Sequence, residues 1–160
     1  MLALTLTAEL NGVTDLAPTD TPDAPFFYTF VVQCTSCRET HPNPVSFNRF
    51  ETHDVSGGKG EANFVWRCKS CKREHSAVVK DAPKAYAHGS PPKRQTIIQL
   101  DCRGLEFLEF KPEGDFQAEG LNSPTKFSSI DLSDGEWFDY DEKAGDEVSI
   151  KDLKWEIRRA

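Results

Sequence analysis

Leu2, Leu4, Leu6, Ala8 and Leu10 occupy every second position at the start of the chain, and this period of two predicts a half-buried β-strand. Asn11-Gly12 closes it as a turn. Residues 17–25 hold three prolines and no apolar period, so they are expected to form an exposed loop. Further strands are expected over 26–33, 45–50, 62–67, 76–80 and 96–102, then through a Phe-rich stretch reaching Phe110, and over 148–157. In the last of these, Val148 and Ile150 share one phase while Leu153, Trp155 and Ile157 share the other, which predicts a bulge near Lys151-Asp152. No stretch of eleven or more residues carries a convincing helical period, so the expected class is mainly β.

The breaks between these runs suggest an organisation. His41-Pro42-Asn43-Pro44 and Lys111-Pro112-Glu113-Gly114 interrupt the pattern, and Gly57-Gly58-Lys59-Gly60 reads as a hairpin turn because it lacks the strand–loop–helix setting of a phosphate loop. Pro83, Gly89, Pro91 and Pro92 predict a linker over 81–94, dividing the chain into halves at 1–80 and 95–160. Leu6-Thr7-Ala8-Glu9-Leu10-Asn11-Gly12-Val13 also echoes Ile98-Gln99-Leu100-Asp101-Cys102-Arg103-Gly104-Leu105. Duplication is one reading of that echo; a pattern common among β proteins is the other.

Composition changes the picture in three ways. The 160 residues are enough for one compact domain or two small halves sharing an interface, with 38% hydrophobic residues to be buried one sheet face at a time. No run approaches the roughly 20 apolar residues of a membrane span, and no basic region followed by an apolar signal core opens the chain, so a cytoplasmic or nuclear protein without membrane contact is expected. The net charge is −7, and residues 94–160 hold nine Lys/Arg against sixteen Asp/Glu, whereas 1–93 are balanced at ten each. That balance sets extended nucleic-acid binding aside.

Five cysteines, an odd number, point to metal chemistry in a reducing compartment and not to a disulfide framework. Four form the pairs Cys34-Thr35-Ser36-Cys37 and Cys68-Lys69-Ser70-Cys71, each entered from an apolar strand. Soft thiolates suit tetrahedral Zn²⁺, and two intervening residues let both sulfurs of a pair reach one ion from a tight turn, giving a zinc-ribbon arrangement. A redox pair is the alternative, but that motif belongs at a helix N-terminus, and no helical pattern follows either pair. Four cysteines close the coordination shell, so the metal is expected to hold structure, one ion per chain, without catalysis.

Other residues invite weighing. Arg38, Arg67, Lys69, Lys72 and Arg73 surround the pairs; they read as donors balancing the −2 charge of the site, with a nucleic-acid contact as the alternative. His41 and His75 each follow their pair by four residues and are secondary ligand candidates. Cys102 shares the phase of Ile98 and Leu100 and reads as a small buried hydrophobe. Residues 131–147 carry eight carboxylates and one lysine around Trp137, Phe138 and Tyr140. They read as a solvated acidic loop anchored by aromatics, or as a docking surface for a basic partner.

The two Cys pairs, Gly-Gly-Lys-Gly-Glu-Ala-Asn-Phe-Val ahead of Cys68, Cys102-Arg103-Gly104-Leu105-Glu106, Phe116-Gln117-Ala118-Glu119-Gly120 and Trp137-Phe138-Asp139-Tyr140-Asp141-Glu142-Lys143-Ala144 together resemble the eukaryotic CXXC-motif-containing zinc-binding protein family, long catalogued as a domain of unknown function. The likeness spans nearly the whole chain. It implies zinc on Cys34, Cys37, Cys68 and Cys71, a β-rich fold of two similar packed halves, and no established enzymatic activity. The reading reached is a monomeric, non-catalytic structural-zinc protein that binds another protein, through 131–147. The alternative is a thiol-based handler of Zn²⁺ or Cu⁺.

Overall fold

The computed structural model describes residues 1–58 and 60–160; Lys59, within the expected 57–60 turn, lies outside the described residues. Among the described residues there are fourteen strands and no helix. The chain opens with β1 (Leu2–Asn11), β2 (Val13–Pro18), β3 (Tyr28–Cys34) and β4 (Val45–Phe47). There follow β5 (His53–Asp54), β6 (Glu61–Ala62), β7 (Phe64–Arg67), β8 (Glu74–Val79), β9 (Gln95–Arg103) and β10 (Leu105–Lys111). It closes with β11 (Phe116–Gly120), β12 (Lys126–Ile130), β13 (Trp137–Asp141) and β14 (Asp146–Arg159).

A six-stranded sheet runs β13-β14-β1-β9-β8-β7, two three-stranded sheets run β10-β3-β4 and β12-β11-β2, and β5 pairs with β6. Every pairing is antiparallel. The bulge expected in the last strand is present: between Thr7↔Lys154 and Glu9↔Lys151, two steps along β1 match three along β14, and Asp152 takes φ +53°. That extra residue reconciles the two phases, with Val148 and Ile150 buried before it and Leu153, Trp155 and Ile157 partly buried after it.

The sheets reveal a repeat. β1 and β9 lie side by side at the centre of the large sheet, each flanked by a hairpin, β13–β14 or β7–β8. Each passes through a glycine of positive φ, Gly12 at +74° or Gly104 at +81°, into a strand that leaves for a small sheet. There β2 pairs with β11, which pairs with β12, just as β10 pairs with β3 and β3 with β4. One unit is therefore continuous, 28–111, and the other is assembled from 116–160 and 1–18, where the Ala160 N–H donates to the Met1 carbonyl at 3.0 Å. The echo of 6–13 in 98–105 falls on equivalent strands.

The pairings thus group the strands differently from a cut at 81–94. Alternation marks which stretches are strands, but partners are chosen by burial on both faces, which the pattern of one strand does not contain. Residues 81–94 are anchored as well: Tyr86 is 1% exposed, exchanges backbone hydrogen bonds with Leu16 at 3.0 and 2.7 Å, and its hydroxyl donates to the Lys93 carbonyl at 2.6 Å.

Two expected loops are also more ordered than their composition suggests. In 17–25, Ala17 and Pro18 end β2 in the core, and the buried Asp20 carboxylate accepts from the Tyr28 hydroxyl at 2.8 Å and from Arg49 Nε at 2.9 Å. Residues 131–147 contain β13 and the start of β14. In both segments a buried carboxylate supplies the anchor, which apolar periodicity does not register.

One apolar cluster includes side chains of both units. Phe30 lies 4.3 Å from Phe107, 5.4 Å from Phe110 and 5.9 Å from Phe47, ring centre to ring centre. Trp155 then joins Phe110 of one unit to Phe116 of the other, at 4.8 and 5.9 Å.

Candidate metal centre

β3 and β7 each end by delivering a cysteine into a turn of the same design. The Arg38 N–H donates to the Cys34 carbonyl and the Lys72 N–H to the Cys68 carbonyl, both at 2.9 Å. The Cys34 and Cys68 N–H groups in turn donate to the carbonyls of Glu39 and Arg73, at 3.0 and 2.9 Å. Arg38 and Lys72 both adopt the left-handed conformation, φ +64° and +65°, which lets each turn fold back within five residues.

This geometry brings the four thiols together. Cys34 and Cys71 sulfurs lie 3.6 Å apart, Cys37 and Cys68 likewise, and all four fall within 4.8 Å of one another. A tetrahedron with metal–sulfur bonds near 2.3 Å has edges of about 3.8 Å, so the four sulfurs fit one Zn²⁺. His75 is buried and its Nε2 lies 3.1 Å from Cys34 Sγ, where it contributes a hydrogen bond to the sulfur. His41 lies apart, edge-on to Trp66 at 5.7 Å. Of the basic side chains, Arg67 braces its own turn by donating to the Lys72 carbonyl at 2.7 Å, and Arg73 crosses to the other turn and donates to the Ser36 hydroxyl at 3.3 Å. Cys102 stands outside the cluster, and burial pushes its thiol up to about 12.

Within the cluster the thiols are unequal. Burial alone would raise Cys34, but backbone N–H groups of Cys37 and Ser36, together with His75 and Cys71, bring it down to about 5. Cys68 is also lowered, first by the Cys71 N–H. Cys37 is pushed up to about 12: the Glu39 N–H lowers it, but desolvation and hydrogen bonds with Cys68, Cys34 and Cys71 prevail. Zinc takes the thiolate form of its ligands, so metal uptake releases the protons that the four thiols hold.

Residues 3–158 match the family model described as CXXC motif containing zinc binding protein, eukaryotic. The chain belongs to this family. Among members of the CXXC motif containing zinc binding family, a UPF0587 protein of Schizosaccharomyces pombe is 46% identical over 99% of this chain and 98% of its own. The mouse protein named CXXC motif containing zinc binding protein is 37% identical over 93% and 92%. The crystal structure of C1orf123 superposes with a TM-score of 0.91 at 34% identity, covering 99% of each chain. A hypothetical protein from Plasmodium falciparum, TM-score 0.85 over 98% of each chain at 21% identity, shares the fold. A family named for zinc and a cluster of four thiols are together compatible with one structural Zn²⁺.

The repeat also places a second pair of turns opposite the first. The Gly120 N–H donates to the Thr125 carbonyl as Cys34 does to Glu39, and the Gly145 N–H donates to the Asp141 carbonyl, with φ +74° at Gly145, as Lys72 does to Cys68. Even the contact with the central strand recurs: Leu121 N–H donates to the Gly12 carbonyl, and Thr35 N–H to that of Gly104. Gly120, Ser123, Asp141 and Ala144 thus stand where the other unit has its four cysteines.

Here hydrogen bonds span the turns. The Asp141 side chain is fully buried and accepts from the Ser123 hydroxyl, the Thr125 hydroxyl at 2.7 Å, and the N–H groups of Lys143 and Ala144 at 3.1 and 3.2 Å. A Cβ on Gly120 would overlap the Ser123 hydroxyl, so the missing side chain makes room for the bridge. Gly120, Asp141 and Ala144 lie in motifs that carry the family resemblance, but their correspondence to the cysteines is not visible in the sequence because the repeat is permuted: an offset that aligns β1 with β9 does not align Asp141 with Cys68.

Two predictions follow from these contacts. Gly104 has φ +81°, and a Cβ there would overlap the His75 imidazole that touches Cys34. Gly104→Ala should cost about 1–3 kcal/mol and speed zinc loss to a chelator; unchanged melting and release would show that the close packing is dispensable. Asp141 is held below its ordinary value, chiefly by the Ser123 hydroxyl, with Thr125, Ala144 and Lys143 also acting against burial. Its stabilisation is therefore full above the ordinary aspartate pKa of about 3.9 and is lost as pH falls through the depressed value. Thermal melts should show Asp141→Asn less stable than the parent at pH 7, with the gap closing in acid; a constant gap would contradict the assignment.

Proposed function

We propose that this chain is a non-catalytic protein-binding module, an adaptor whose β scaffold is held by one Zn²⁺ on Cys34, Cys37, Cys68 and Cys71. The observation that carries this reading is the closed set of sulfurs: four thiols complete a tetrahedron, leaving no position for substrate or water. The other unit supports it, since hydrogen bonds replace the metal at the equivalent turns and the fold is the same. What the ion supplies is cross-linking of two turns.

The sharpest test is metal content with exchange. One zinc per chain, released slowly to excess chelator, supports the structural role. Thiol-based metal handling is the second reading, favoured by the exposure of Cys37 and the partial exposure of Cys71. Rapid loss of zinc to Cu⁺ would select it. The binding role is tested separately, by cross-linking zinc-loaded protein in its native cell and comparing the captured proteins with those taken by surface variants that leave the zinc site untouched.

A further inference from the structure

β13 and β7 are the two edges of the six-stranded sheet and occupy equivalent places in the repeat. Their surroundings differ. β7 is approached by β5 of the added β5–β6 hairpin. Between β12 and β13 there are six residues, 131–136, and no such hairpin. Among the described residues β13 pairs with β14 alone, which leaves its outer edge open to a further strand; the Tyr140 N–H donates to the Asp139 carboxylate at 2.7 Å and must exchange that bond when a strand is added.

The exposed face of this edge has a particular chemistry. Phe138 and Tyr140, two residues apart and so on one face, are 59% and 50% exposed. They border a groove of roughly 740 Å³ that crosses β14 to β1 and is also lined by Glu9, Asp139, Glu147 and Lys151. Asp139 and Glu147 belong to segment 131–147, which carries eight carboxylates against one lysine, only Asp141 among the eight being buried. Lys151 already places its ammonium 6.0 Å from the Phe138 ring centre, which shows the ring in position to receive a cation. Edge strands are commonly protected by lysine, since a cation there discourages pairing; β13 itself carries aromatics and carboxylates and no lysine.

We propose that β13 is a docking edge for an extended, Lys/Arg-rich segment of a partner protein, which adds as a seventh strand and lays alternate basic side chains over Phe138 and Tyr140 between the surrounding carboxylates. This deepens the binding-module reading and rests on it. Main-chain pairing supplies the register, because alternate residues of an added strand repeat at about 6.8 Å, as do the positions of Phe138 and Tyr140 in β13. The carboxylates select charge and make the association sensitive to salt.

The probe is a ten-residue peptide, acetylated and amidated, alternating lysine with threonine, titrated into zinc-loaded protein and followed by amide chemical shifts. Saturable binding is expected, with the largest shifts at 137–141 and affinity falling as salt is raised. A glutamate–threonine peptide should not bind. A copy N-methylated on alternate backbone nitrogens should lose at least about tenfold, because pairing to an edge requires those N–H groups. Phe138→Thr/Tyr140→Thr keeps strand-favouring residues and should lose at least about tenfold with an unchanged melting temperature. Absence of saturable binding, equal binding by the double variant or the N-methylated peptide, shifts centred elsewhere, or a dimer formed through β13 would each overturn the proposal. If the peptide fails while parent and double variant cross-link the same cellular protein, the edge is wrong and the module reading stands; if neither captures a protein, that reading fails.

Discussion

Cys68→Ser is expected to leave the purified chain without its zinc and to lower stability by roughly 4 kcal/mol or more, since metal bound at a site absent from the unfolded chain contributes its binding energy to folding. Cys68 is the appropriate residue to change: it is buried, directly follows β7, and has its sulfur 3.6 Å from that of Cys37. Elemental analysis and thermal melts with and without chelator check the result. Chelation of the parent should reproduce the variant's melting temperature, and chelation of the variant should change little. A Cys68→Ser protein that retains one zinc and melts with the parent would remove Cys68 from the ligand set. Hydrogen exchange adds a spatial check: the Arg38 and Lys72 amides, which close the two turns, should lose protection before those of β1 and β14.

Phe30→Ala should be the most damaging single change away from the metal, costing about 3–5 kcal/mol. Its ring is fully buried and lies within 6 Å of three other phenylalanine rings, so truncation leaves a hole bounded by rigid side chains on different strands. Such a site collapses poorly. The same strand carries Cys34, 0% exposed, so the loosening should reach the metal and raise the rate of zinc release. Denaturant unfolding and chelator kinetics measure the two effects; a loss below about 1 kcal/mol would show that the aromatic stack repacks.

Much of this was legible in the sequence, for reasons that differ between residues. β1, β3 and β9 announce themselves because large apolar side chains alternate with small or polar ones along much of each, even where both faces are buried, and the phase change in β14 required the bulge that Asp152 makes. The clustering of Cys34, Cys37, Cys68 and Cys71 was readable because tight turns impose their own spacing. β2, β11 and β12 were hidden: their pairing is interrupted by irregular register, so no single period runs through them. Asp20, Asp141 and Tyr86 were hidden differently. Each anchors a polar or proline-rich segment through hydrogen bonds to distant parts of the chain, and composition alone describes such segments as loose. Strand partnership was the deepest omission, since nothing local to 1–18 says that it completes a unit begun at 116.

Leu2 lies opposite Arg159, and the last N–H meets the first carbonyl at 3.0 Å, at the point in the second unit where the first has residues 80–94 between β8 and β9. The molecule is therefore suited to circular permutation. A short linker from Ala160 to Met1, with new ends opened between Glu113 and Asp115, would place each unit on an uninterrupted stretch of chain, in the order of an ordinary tandem repeat. Such a permutant should fold, keep its four thiols together and bind one metal ion, because every strand retains its neighbours and only the order in which the chain visits them changes.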